Sequence, residues 1–206
     1  MKGPRAALAQ ALALENETER KLAVVSLIDQ QVQQINWRAI VIGGLAVEFW
    51  THGAYSTTDI DLYLPHGPAV DDLLAELGFQ KQGRHWVIPE HDLFVEAPAS
   101  FPADHEEVHE VTLRSGYRVL LLSSEDVLID RLHQFVSGGH RDVASQALSL
   151  LGAEDLDRRR LQARAEQEGL ASALRALDEL DERVERGEAI ESWELQEISK
   201  RLQREP

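Results

Sequence analysis

Hydrophobic periodicity changes character at Ser123, and this limits the chain to a fold with two dissimilar parts. Before Ser123, short β-branched runs alternate with helical stretches. From there to about Arg204 apolar residues recur at helical spacing, with breaks at Gly138-Gly139, Gly152 and Gly169. The pattern predicts an α/β half over residues 37–122 and an all-helical half behind it. Leu22, Val25, Ile28, Val32 and Ile35 mark one face of a helix over Asn16 to Ile35, with Asn16 as its N-cap. This first helix is expected to pack on one of the two halves.

Within the α/β half the elements follow from local chemistry. Arg38 to Gly44 is a β-branched run closing on two glycines, which predicts a buried strand entering a turn, followed by a short helix over Leu45 to His52. Asp59 to Leu64 alternates polar and apolar residues and predicts a second strand. Pro68 to Leu77 carries proline in its first turn and Gly78 just past its end, the ends of a helix. His85 to Ile88 and Leu93 to Glu96 flank a turn-like Pro-Glu-His-Asp tetrad, and Val108 to Leu113 and Tyr117 to Leu122 flank Arg114-Ser-Gly116. Both pairs predict hairpins.

Charge and composition exclude several classes of function. With 36 acidic against 21 basic residues and a formal net charge of -15, the chain repels phosphate backbones and anionic lipid, so extended DNA binding and a membrane role are not expected. There are no cysteines, which removes disulfide scaffolds, cysteine-ligated zinc and cysteine nucleophiles. No apolar run approaches the roughly 20 residues a membrane span needs. Glu15, Glu17 and Glu19 make the start of the chain a poor signal peptide, so a cytoplasmic location is expected.

The chemistry centres on Gly43-Gly44 and, fifteen residues after Gly44, Asp59-Ile60-Asp61. Residues i and i+2 of a strand face the same way, about 6–7 Å apart. Two carboxylates so placed suit a hard divalent cation completed by substrate phosphate oxygens. Two-metal phosphoryl transfer needs a third carboxylate from a neighbouring strand; Glu96 is the candidate and Asp92 the alternative. Glycines between a strand and a helix let backbone N–H groups approach a phosphate at the helix N-terminus. Alone, the glycines equally suit a tight turn, and the acid pair a wet edge strand.

Gly-Gly-Leu-Ala-Val, the aromatics Phe49 and Trp50, Tyr55-Ser-Thr-Thr58 and Asp-Ile-Asp-Leu together resemble the core of the DNA polymerase beta-like nucleotidyltransferase superfamily. The nearest likeness is to bacterial minimal nucleotidyltransferases and AbiEii-type toxins. Ser124 to Leu132 is similar to the helix such proteins place after the catalytic sheet, and His140-Arg-Asp142 to an Arg-Asp pair one helix later; the likeness covers residues 20–151. It implies an α+β fold, a mixed β-sheet flanked by helices over residues 1–122, followed by a helical C-terminal region over 123–206. It implies a nucleotidyltransferase, moving a nucleoside monophosphate from a nucleoside triphosphate to an acceptor with Mg²⁺ or Mn²⁺ as cofactor. Asp59, Asp61 and Glu96 would be catalytic and bind metal, and Glu96 would help activate the acceptor hydroxyl. Gly43, Gly44, Thr58, Arg131 and Arg141 would contact the nucleotide. The acceptor stays open among a tRNA end, a protein and a small molecule. A toxin of a toxin–antitoxin system, with an antitoxin or a second copy as partner, falls within the same likeness, and a catalytically inactive binding or regulatory module is the alternative.

Other patterns invite plainer readings. His105-Glu-Glu-Val-His109 spells the zinc-peptidase motif, but the strand-like residues after it favour a solvated loop. Asp71-Asp72 suits a helix N-terminus, Ser123 to Asp126 a capping box, and Arg158-Arg-Arg160 a solvated helix face. His85 and His91 read as surface histidines, and Trp37 and Trp86 as core or sheet-packing residues.

Overall fold

The computed structural model describes residues 3–153 and 156–204. Its first elements are helices α1 (Pro4–Leu12) and α2 (Glu17–Val32), followed by strand β1 (Ile40–Ile42), helix α3 (Gly43–Trp50) and strand β2 (Asp59–Tyr63). Then come α4 (Pro68–Leu77), β3 (Gln80–Gln82), β4 (His85–Ile88), β5 (Leu93–Ala99), β6 (Val108–Thr112) and β7 (Arg118–Leu122). The remaining helices are α5 (Ser124–Gly138), α6 (Arg141–Leu151), α7 (Arg158–Gln167), α8 (Ala171–Glu185) and α9 (Ser192–Leu202). The chain divides into two compact units, one formed by residues up to Phe49 with Ser56–Ser123, the other by Trp50–Tyr55 and residues from Ser124 on. The expected α+β fold is present.

The first unit is built on a seven-stranded mixed sheet in the order β3-β4-β5-β2-β1-β7-β6. β1 lies antiparallel to β2 and parallel to β7, while β2 and β5 run parallel. The two expected hairpins form, β4 with β5 and β6 with β7. The Pro-Glu-His-Asp tetrad closes the former as a single 3₁₀ turn ending at Asp92, with φ 46°. Asn16 caps α2 by accepting from the Glu19 backbone N–H at 2.8 Å. Helix α2 packs on α4 and β7, and α1 on α2 and α4.

One sheet face is the core. Ile60, Leu62, Val95 and Trp86 are at most 1% exposed, and the Trp86 indole N–H donates to Asp71 of α4 at 2.7 Å, which identifies this as the helix-covered side. Lys81 sits 3.3 Å from the Trp86 ring centre and 3.3 Å from Asp71, and His66 stacks on the same ring with centroids 5.7 Å apart. Asp71 therefore does more than favour a helix dipole. Trp86 is core as expected, whereas Trp37 is 37% exposed.

Two segments escaped the sequence pattern. α1 is too short and too evenly Ala/Leu-rich to show a face, and β3 is all polar and lies exposed at the sheet edge. The His105 to His109 motif is not helical: β6 begins at Val108, so the two histidines do not share a helix face.

The second unit is helical. Glu125 and Asp126, 5% and 2% exposed, lie in the first turn of α5 but reach α7. Arg160 pairs with both, and Arg164 bonds Asp126 at 2.9 Å. Glu125 also accepts the Asp157 backbone N–H at 2.7 Å. The expected solvated face for the Arg158-Arg-Arg160 run is therefore corrected at Arg160: burial of two acids requires paired cations, and the third arginine supplies one of them.

In the first unit the comparable buried pair is Lys21 of α2 with Glu48 of α3, at 2.7 Å, with side chains 5% and 3% exposed. Replacing Lys21 by Met strands the Glu48 carboxylate, and the expected loss is about 3–5 kcal/mol of unfolding free energy, read by urea denaturation.

Candidate functional site

The candidate site begins where β1 ends. Gly43 follows Ile42 directly, adopts φ +60° and opens α3. A Cβ at Gly43 would run into the Asp61 carboxylate and lie 2.8 Å from the Asp61 Cβ, so only glycine lets the turn and the acid sit together. Gly44 has the same problem with Thr57: an added Cβ would be 2.9 Å from the Thr57 hydroxyl. The register explains the first contact, since Ile42 pairs with Asp61 across β1 and β2.

The loop that delivers Asp59 is bolted to the same place. Glu48 accepts from the Thr57 backbone N–H at 3.0 Å, from Lys21 at 2.7 Å and from the Thr18 hydroxyl. Lys21 in turn donates to the Thr57 carbonyl at 2.7 Å. Thr57 is thus held at both backbone groups by one buried ion pair, two residues before Asp59. Sequence reasoning missed Lys21, Glu48 and Thr57. Glu48 carried a signal, as the one charged residue in the otherwise apolar Gly43–Trp50 helix.

Three acids share the sheet face opposite the core. β2 and β5 are in parallel register with Asp59 beside Phe94 and Asp61 beside Glu96, while Ile60 and Val95 point into the core. Paired residues on neighbouring strands lie about 4.8 Å apart, so the backbone puts Glu96 next to Asp61. Asp92, the alternative third acid, sits in the turn before β5 and is exposed. Thr58 is exposed, its hydroxyl 3.4 Å from Asp59 Oδ1.

The end of the Glu96 side chain is engaged away from the aspartates. Arg84, at the tip of the β3–β4 hairpin, lies 3.2 Å from one carboxylate oxygen, and His85 Nδ1 lies 3.7 Å from the other. Among the described residues no three His, Asp or Glu side chains stand close enough together to hold a metal ion. The donors Asp59 and Asp61 are hard oxygens on one face, the set that binds Mg²⁺ when substrate phosphates complete the shell. The aspartate pair thus has the donor chemistry for such a cation, whereas the Glu96 carboxylate is engaged by Arg84 and His85. Sequence reasoning placed His85 on the surface and did not single out Arg84.

The two arginines expected at the nucleotide belong to the second unit. Arg131, 8% exposed on α5, donates to Gln146 at 3.0 Å and Asp130 at 2.7 Å, and its Nε has no hydrogen-bond partner among the described residues. Arg141 is exposed as the first residue of α6. No helix among the described residues is long and apolar enough to cross a membrane.

Comparison with known proteins bears on the fold and the family. The chain is similar over 76% of its length, at 18% identity and a TM-score of 0.50, to the crystal structure of an antigenic nucleotidyltransferase-like protein from Paracoccidioides brasiliensis, 92% of which is covered. At that identity the likeness concerns the fold. No match was found among curated proteins. Neither finding extends to the AbiEii-type toxins. A family model described as "Nucleotidyltransferase of unknown function (DUF6036)" matches residues 20–179, and the chain belongs to that family.

Proposed function

We propose that this protein transfers a nucleoside monophosphate from a nucleoside triphosphate to an acceptor hydroxyl, with Mg²⁺ or Mn²⁺ held by Asp59 and Asp61. The observation that carries this reading is the contact between the Gly43 turn and Asp61: the N-terminus of α3 opens directly beside the acid pair. Backbone N–H groups there would suit the β and γ phosphates, and the Asp59 and Asp61 carboxylates would hold the cation. When bound, the cation supplies charge stabilisation at the transferring phosphoryl group.

The rest of the step belongs to the chain's own residues. The acceptor oxygen forms a bond to the α-phosphorus, the bond from that phosphorus to the bridging oxygen breaks, and pyrophosphate leaves. Glu96, adjacent to Asp61 in register, receives the hydroxyl proton once Arg84 has turned away from it. Arg84 is 74% exposed at its side chain, so that exchange meets little steric resistance. In this reading Thr58 serves the nucleotide from an exposed position, while a nucleotide role for Arg131 and Arg141 is supported by the sequence likeness alone.

A second reading, a non-catalytic binding module with the same fold, is favoured by one observation: Glu96 is held by Arg84 and His85 and the three acids do not close into a cage. The absence of cysteine supports placing the protein in the cytoplasm. A toxin role, with an antitoxin partner, is supported only by the sequence likeness to AbiEii-type proteins.

Titration of Mg²⁺ and ATP into wild type and into Asp59→Ala/Asp61→Ala separates these readings. The enzyme reading expects at least tenfold weaker binding in the variant and radiolabel transfer to a cell extract by wild type alone. Equal affinity with no transfer by either protein contradicts it. Gly43→Ala is expected to cost about 1–2 kcal/mol from its backbone angle alone, more with the displacement of Asp61, and to weaken ATP binding together with stability. Thermal melts alongside the titration check both effects.

A further inference from the structure

The face that carries the acids also carries an aromatic ring with no role so far. Phe94 stands beside Asp59 in the register of β2 and β5 and two residues before Glu96, so it shares the face of Asp59, Asp61 and Glu96. Its chain neighbours Leu93 and Val95 are 6% and 0% exposed, whereas Phe94 keeps 37% of its surface open. On the other side, its β4 partner Val87 is 4% exposed. The ring is therefore not part of a broad apolar patch. A single exposed apolar residue is ordinary; one beside Asp59 and next to Glu96 along the same strand face has a position that calls for a reason.

The order of strands supplies one. Across the sheet the sequence is the Gly43 turn after β1, the aspartates on β2, then Phe94 and Glu96 on β5. In an in-line displacement the attacking and leaving oxygens lie on opposite sides of the transferred phosphorus. With the triphosphate tail at the Gly43-Gly44 turn, pyrophosphate leaves toward β1 and α3, and the acceptor enters from the β5 side. Phe94 and Glu96 are the residues it meets there.

We infer that Phe94 is a positioning residue for the acceptor: a planar, unsaturated ring next to the attacking hydroxyl stacks on it while Glu96 faces the hydroxyl. The inference rests on the proposed transfer reaction and adds to it a substrate class, acceptors that bear a flat ring beside their hydroxyl, as opposed to simple polyols. An aromatic face is tolerant of ring identity, so Phe94 selects flatness and leaves finer choice to its polar neighbours.

The test uses the full chain with Mg²⁺ and saturating α,β-methylene ATP, which fills the donor site without reacting. Adenosine and ribose, the latter as its methyl β-D-ribofuranoside so that both present the 2′, 3′ and 5′ hydroxyls and differ in the base, are titrated by calorimetry into wild type, Phe94→Ala, Phe94→Leu and Phe94→Trp. Expected is binding of adenosine well above that of ribose, weakened at least about fivefold by Phe94→Ala and by Phe94→Leu and restored by Phe94→Trp. The affinity for the ATP analogue is expected to stay within about twofold throughout. Phe94→Leu keeps the apolar bulk, so a merely structural role would leave it like wild type. Adenosine affinity indifferent to Phe94→Ala and Phe94→Leu, absence of adenosine binding to wild type, or loss of ATP-analogue binding instead would each overturn the inference. Failure of the parent reading shows separately, as ATP-analogue affinity indifferent to Asp59→Ala/Asp61→Ala.

Discussion

The buried pairing of Lys21 with Glu48 is the constraint on which the geometry of the acid strand depends. Both charges are removed from water, and neither is tolerable there without the other. Both also hold Thr57, whose backbone N–H meets Glu48 and whose carbonyl meets Lys21. Three separate pieces of chain are thereby fixed to one another: α2, the helix that opens at Gly43, and the loop that enters β2. A looser arrangement would leave Asp59 and Asp61 free to drift relative to the Gly43-Gly44 turn, and a site for phosphate and cation requires that distance to be held.

The two glycines have different partners and a common consequence. Gly43 makes room for Asp61, and Gly44 makes room for Thr57. Because Thr57 is also gripped by the ion pair, packing and electrostatics act on the same loop. Removal of either contribution is felt at β2. The opposite side of the acid strand is less tightly specified, since Glu96 ends at an exposed arginine on a hairpin tip. The candidate site thus has a rigid half toward α3 and an adjustable half toward β5 and β4, which suits a donor held in one pose and an acceptor that comes and goes.

Much of this was legible in the sequence. The β-branched run into Gly43-Gly44, the alternation at Asp59 to Leu64 and the hairpin around Pro89 to Asp92 are local signals, and β1, β2, β4 and β5 follow them. The face shared by Asp59 and Asp61 follows from the period of a strand. What the pattern could not give was pairing between distant residues: that β5 would lie parallel to β2 with Glu96 opposite Asp61, that Lys21 would reach Glu48, or that Arg160 would turn inward to Asp126. Such contacts are set by register and helix packing, and a charged residue looks solvated until its partner is known. Phe94 was hidden for a related reason, because inside Leu93-Phe-Val-Glu96 it reads as one more apolar strand residue.

A crystal structure with Mn²⁺ and α,β-methylene ATP, with the metal located by its anomalous scattering, tests the central claim most directly. The account predicts metal on Asp59 and Asp61, the triphosphate against the Gly43-Gly44 turn at the start of α3, and Arg84 drawn off Glu96. A nucleotide bound elsewhere, or none bound at millimolar concentration with Asp61 still lodged against Gly43, would contradict it and leave only the fold in common with nucleotidyltransferases.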